Sequence, residues 1–152
     1  MNRLRILVGS GDRIGLLVLP VAVAGVFLNY THPTWFDVGG PPGALWVLSM
    51  FVLVPGIAIW LWSVVLILGH VPHGQLITGG PYAWVKHPLY TAVALLVLPW
   101  VGFLLDTWLG VLLGAVLYVG SRIFAPAEED TLSRAFGDEW SAYSRSVRLQ
   151  GL

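Results

Sequence analysis

The sequence predicts an all-α fold, an integral membrane bundle of about four transmembrane helices, and three observations lead there. Hydrophobic residues make up 57% of the 152-residue chain. Between Ile14 and Ser121 the only Asp, Glu, Lys or Arg residues are Asp37, Lys86 and Asp106, far fewer than a water-exposed surface of that length needs. The apolar residues fall in four stretches, 14–30, 44–69, 89–105 and 107–124, each close to the length that crosses a hydrocarbon core as a helix. All 152 residues read as a single membrane domain.

The first stretch, over 14–30, is as short as the third. A signal-peptide reading of it, with cleavage after Ala22-Val23-Ala24, fails because Val26, Phe27 and Leu28 continue the same apolar run. Residues 29–42, rich in Gly and Pro, form an outer loop. The second stretch contains Pro55-Gly56, which predicts a kink that neighbouring helices must satisfy. Only Asp106-Thr107 separates the third from the fourth, so these two form a helical hairpin in which Asp or Thr caps the second helix. Beyond them, Leu132, Phe136, Trp140 and Tyr143 recur at helical spacing, which predicts a cytoplasmic amphipathic C-terminal segment over 126–147. Pro126 suits its first turn, and Gly137-Asp138 divides it.

Charge placement orients the bundle, because Lys and Arg next to membrane segments stay on the cytoplasmic side. Arg3, Arg5 and Arg13 precede the first span, Lys86 lies between the second and third, and Arg122, Arg134, Arg145 and Arg148 follow the fourth. The two opposite connections carry only Asp37 and Asp106. Four spans with both termini in the cytoplasm account for all eight basic residues.

Several chemistries are excluded. Without cysteine there are no disulfides, thiolate metal sites or cysteine nucleophile. A net charge of zero gives no footprint for nucleic acid. His70 and His73 have metal-ligand spacing, but Pro72 interrupts the turn between them and no third ligand is near in sequence, so no metal is expected.

Two polar clusters remain. Thr78 to Tyr90 places Lys86 and His87 among Tyr82, Trp84 and Tyr90, with Gly79-Gly80-Pro81 permitting a tight backbone approach and Pro88 opening a helix. Glu128-Glu129-Asp130 returns charge after the last apolar run. At roughly 100° per residue, Glu129 falls within about 40° of the direction shared by Leu132 and Phe136, and Glu128 within about 60°, so both lean toward the packed side. A carboxylate there needs a cation, a polar ligand or a donor. On the residues alone, two readings of each cluster stand. The glutamates are first-turn acids at a helix dipole or members of a site, and the histidine and aromatics are an interfacial belt or a pocket wall.

In order and spacing these residues resemble the superfamily of isoprenylcysteine carboxyl methyltransferases and phospholipid methyltransferases. That family reads Gly-Pro-Tyr, an Arg-His-Pro-x-Tyr box, a helical hairpin, paired acids, then Phe-Gly-x-x-Tyr with a second Tyr three residues on. The counterparts are Gly80-Pro81-Tyr82, Lys86-His87-Pro88-Leu89-Tyr90, Glu128-Glu129, Phe136-Gly137-Asp138-Glu139-Trp140 and Tyr143, within residues 76–147. The resemblance implies S-adenosylmethionine in an enclosed pocket, with Gly80, Tyr82, His87, Pro88, Tyr90, Glu128 and Glu129 binding it. Carboxylates and aromatic faces are also what a sulfonium cation requires. The chain departs from the family where Lys86 replaces Arg and where Ser144-Arg145-Ser146-Val147-Arg148 replaces a Lys-Arg-Val-Pro tail.

The resemblance therefore implies methyl transfer to a lipophilic, prenylated or lipid acceptor reached from the bilayer. A carboxylate acceptor, already anionic at neutral pH, needs only orientation, for which Lys86, Arg122 and Arg145 are candidates, and with no dedicated base in view the sequence favours a carboxylate or thiol-derived acceptor. A phosphatidylethanolamine amine would need a base, His87 or Glu128. An NADPH-dependent reductase like the membrane sterol reductases would want a longer chain and a denser basic cluster. A scaffold that has lost its chemistry would have no use for His87, Tyr90, Glu128 and Glu129 together.

Overall fold

A computed structural model describes residues 11–39 and 42–149, and among these residues it contains helices and no strand. Five helices follow in order: α1 (Gly11–Thr31), α2 (Pro42–His70), α3 (Pro88–Leu104), α4 (Leu109–Phe136) and α5 (Asp138–Ser146). Three helices, Gly11–Thr31, Gly43–His73 and Leu109–Phe136, are long and apolar enough to cross a membrane, and Pro88–Leu104 is a shorter apolar helix. Large side chains such as Leu16 (73% exposed) and Phe51 (79%) point outward, as lipid-facing residues do.

Local chemistry sets the ends of these helices. The Thr31 hydroxyl donates to the Phe27 carbonyl at 3.0 Å and closes α1. At the end of α2, His70 and His73 donate through Nδ1 to the Leu66 and Gly69 carbonyls at 3.0 and 2.8 Å, so both rings satisfy terminal carbonyls. No group of three or more metal-ligating side chains occurs among the described residues. Helix α2 continues across Pro55, and Gly56 lies against Leu96, where a Cβ would approach the Leu96 Cβ to 2.7 Å.

Helix α3 starts at the buried Pro88 and widens to a π-helical turn over Val93–Val97. Pro99 explains the widening, because it has no N–H for the Leu95 carbonyl and its ring occupies that space. In the hairpin turn the expected cap comes from threonine: Thr107 Oγ1 accepts from the Leu109 N–H at 3.2 Å and donates to Asn29 at 2.9 Å. The turn is thereby tied to the end of α1. An isolated Asp37–Thr107 bridge and a bond from the Trp108 N–H to the Phe36 carbonyl (2.8 Å) attach the loop after α1 to the same turn.

The largest departure from expectation lies at the C-terminus. The segment over 126–147 does not begin a separate helix at Pro126; α4 runs through that proline without interruption to Phe136. One missing N–H costs a single helical hydrogen bond, and the contacts that Leu132 and Phe136 make with α5 compensate. The expected division at Gly137 does occur, with φ +53° and ψ −119°, values a side chain would strain against.

Packing runs α1, α4, α3, α2, with α3 held between α2 and α4. Small residues set the α3–α4 separation: a Cβ on Gly110 or Gly114 would collide with the Leu98 or Ala94 carbonyl. Replacing Gly110 by Leu should therefore cost roughly 1–3 kcal/mol by prising the hairpin open, read as a lowered Tm in detergent. Gly15→Ala, at a glycine with nothing within 4 Å, should stay within about 0.5 kcal/mol of the parent.

Candidate functional site

The two polar clusters meet beyond the apolar part of the bundle. Gly74 (φ +69°) turns the chain out of α2, and Gly80 (φ +60°) turns it again into a short 3-10 turn, Gly80–Ala83. Trp62 and Leu66 lie 3.1 Å from where a Gly80 Cβ would sit, so the loop lies directly on α2. From the other side α5 folds back through Gly137 and presents Trp140, Tyr143 and Val147, all buried, to Leu76, Tyr82, Leu132 and Phe136. The Tyr143 hydroxyl donates to the Tyr82 carbonyl at 2.9 Å, and the Leu149 N–H donates to the Trp84 carbonyl at 2.9 Å. The chain end thus fastens the loop against α4.

A cavity of about 180 Å³ lies within this enclosure. Among the residues expected to form a site, Tyr82, Lys86, His87, Tyr90 and Glu128 line it. Glu129 stands behind them. Its Oε2 accepts from Lys86 Nζ at 2.8 Å, and its Oε1 lies 3.5 Å from His87 Nε2. At that second distance the imidazole is an ionic neighbour of Glu129, but its buried Nε2 makes no close hydrogen bond. Lys86 Nζ also lies 6.0 Å from the centroid of the Trp140 ring, so the ammonium is held by a carboxylate and an aromatic face together.

The remaining expected residues take other places. Pro88 is fully buried at the start of α3 and Gly80 supports the loop; neither is among the residues lining the cavity. Arg122 and Arg145 are exposed and also outside its lining. Sequence reasoning did not single out Ile67 and Val71 at the end of α2, or Gln75, Leu76 and Ile77 in the loop, all of which line the cavity. The available signal was that a helix end and a glycine-flanked loop precede the His-Pro box directly. Trp140 and Tyr143, read as an amphipathic face and as counterparts of a family motif, supply the cavity's aromatic wall.

Burial pushes the Tyr82 and Tyr143 phenols well above their ordinary range, with Tyr143 and Glu128 adding to the effect at Tyr82 and Glu129 at Tyr143. Both phenols therefore stay protonated, and that of Tyr143 donates to the loop. Glu128 thus stands on the lining, and Glu129, paired with Lys86, stands behind it.

Comparison with known families places the chain among the integral membrane methyltransferases. The family is the isoprenylcysteine carboxyl methyltransferase (ICMT) family, whose model matches residues 44–134, and the chain belongs to it. The matched region takes in α2, the loop, the His-Pro box, the hairpin and both glutamates. Methyltransferases of this family generally use S-adenosylmethionine. No curated protein and no solved structure matches the chain.

The Lys86–Glu129 pair is the polar tie across the enclosure. Lys86→Met leaves a half-buried carboxylate uncompensated and should destabilise the protein more than the Lys86→Met/Glu129→Gln double variant does. A double-mutant cycle on Tm in detergent should give a coupling of about 1–3 kcal/mol, whereas additive effects would mean that the pair holds nothing.

Proposed function

We propose that this protein is an S-adenosylmethionine-dependent methyltransferase that acts on a lipophilic acceptor reaching the cavity from the bilayer. The observation that carries this reading is the convergence on one cavity of Glu128, His87 and the rings of Tyr82, Tyr90 and Trp140, from segments far apart in sequence. These residues suit the cofactor. A carboxylate and aromatic faces stabilise a cationic ligand, and the buried His87 Nε2, which makes no hydrogen bond, is a polar atom that a polar ligand can satisfy.

S-adenosylmethionine, when bound, supplies a methyl group on a sulfonium that a nucleophile displaces in line. The chain's own part is alignment and exclusion of water. Glu128, His87 and Tyr90 hold the polar ligand, the Tyr143 hydroxyl fixes the loop by donating to the Tyr82 carbonyl, and Ile67, Leu132 and Phe136 give an acceptor's apolar portion a dry surface.

Membrane topology agrees with this reading. Taken as a single membrane domain of four spans, with Pro88–Leu104 as the short one, the bundle has, among the described residues, Arg13 and Lys86 at the cavity end and Asp37 and Asp106 at the other. The positive-inside rule then sets both termini and the cavity mouth in the cytoplasm.

Calorimetry on purified protein in detergent tests the proposal. S-adenosylmethionine and its demethylated product should both bind, NADPH should not, and Glu128→Gln should weaken both adenosyl ligands by about tenfold or more. Absence of binding by either adenosyl compound would falsify the proposal.

A further inference from the structure

Of the rings around the cavity, that of Trp140 is placed to act on Lys86, and its effect there concerns the cofactor of the function just proposed, on which this inference rests. Lys86 is the only Lys or Arg among the described residues that line the cavity. A lysine ammonium is a compact charge on a flexible four-carbon stem, so a single partner at its tip leaves it room to swing. Glu129 Oε2 holds Nζ at 2.8 Å, and the Trp140 ring lies beside the same atom, with its centroid 6.0 Å away. That distance is at the outer edge of the range in which a cation is drawn to a ring face, so the ring acts chiefly by occupying space and keeping water off the ion pair. The ring is itself held. Trp140 is 6% exposed and its ring centre lies 5.5 Å from that of Tyr143, whose hydroxyl donates to the Tyr82 carbonyl at 2.9 Å. Helix α5 thus fixes the ring, and the ring and Glu129 together fix the ammonium.

We infer that Trp140 is a positioning residue: with Glu129 it holds the Lys86 ammonium at the cavity wall and keeps it from turning toward a bound sulfonium. Two like charges that approach each other between apolar walls such as Leu76, Leu132 and Phe136 repel more strongly than they would in water. S-adenosylmethionine and S-adenosylhomocysteine differ at the sulfur, a sulfonium in the first and a neutral thioether in the second. A lysine released into the cavity therefore penalises the first ligand and spares the second. Tyr82 and Tyr90 remain as the rings that serve the ligand itself.

Calorimetry on the full chain in lipid nanodiscs tests this through the ratio of the two affinities, a quantity that a merely structural loss leaves unchanged. Trp140→Leu should lower the preference for S-adenosylmethionine over S-adenosylhomocysteine by about fivefold or more. The same substitution in the Lys86→Met/Glu129→Gln background, where no ammonium remains to move, should change the ratio by less than about twofold. Trp140→Phe narrows the ring without removing it; it should shift the ratio in the same direction to a smaller extent, and it carries the test if the leucine variant does not fold. An equal fall in both backgrounds would mean that the ring acts on the sulfonium directly, and an unchanged ratio in both would make it a wall of the cavity and nothing more. Either result overturns the inference and leaves the cofactor assignment standing. A parent chain that binds neither adenosyl ligand would remove the functional proposal and this inference with it.

Discussion

The contact on which the rest of this site depends is the 2.8 Å ion pair between Lys86 and Glu129, residues 43 positions apart. Lys86 belongs to the loop that leaves α2 and enters α3, and Glu129 to the part of α4 that continues past its most apolar turns. A charge pair in a half-buried position has to offset the desolvation of both ions, which an isolated pair at a surface seldom does well. Here the Trp140 face beside the ammonium and the imidazole beside the carboxylate share that burden. The pair brings the His-Pro box and the glutamates to the same cavity.

That contact is possible only because α4 does not stop at Pro126. Had the helix broken there, Glu129 would lie on a separate element with no fixed relation to α3. Continuity through the proline extends the hairpin's own geometry to the glutamates, and the reversal at Gly137 then folds α5 back on the loop. Trp140 and Tyr143 close the remaining side, with the Tyr143 hydroxyl on the Tyr82 carbonyl fixing the register. Apolar length makes the membrane bundle, and three local features, Gly80, Pro88 and Gly137, turn one end of it into an enclosure.

Much of this was legible in the sequence, and the reasons differ from one element to another. The helices announce themselves because crossing a hydrocarbon core demands long uncharged runs, and α1, α2 and α3 end within a few residues of the expected limits. The end of α4 was not legible, since proline is compatible with either a first turn or a tolerated interior position and only tertiary contact decides between them. Helical periodicity put both glutamates on the packed side but had no means of separating their roles; the approach of Lys86 draws Glu129 away from the lining and leaves Glu128 on it. Ile67, Gln75 and Ile77 carry no chemical signal at all, and they enter the cavity because Gly74 and Gly80 direct the loop across the end of α2.

The central claim is that a cavity braced by Lys86 and Glu129 is the adenosyl site of a membrane methyltransferase. Calorimetric titration of S-adenosylhomocysteine into the parent, Lys86→Glu, Glu129→Lys and the charge-swapped double variant tests it most directly. The account predicts that each single variant loses affinity by about tenfold or more and that the swap recovers to within about threefold of the parent. Single variants that bind as tightly as the parent would contradict it.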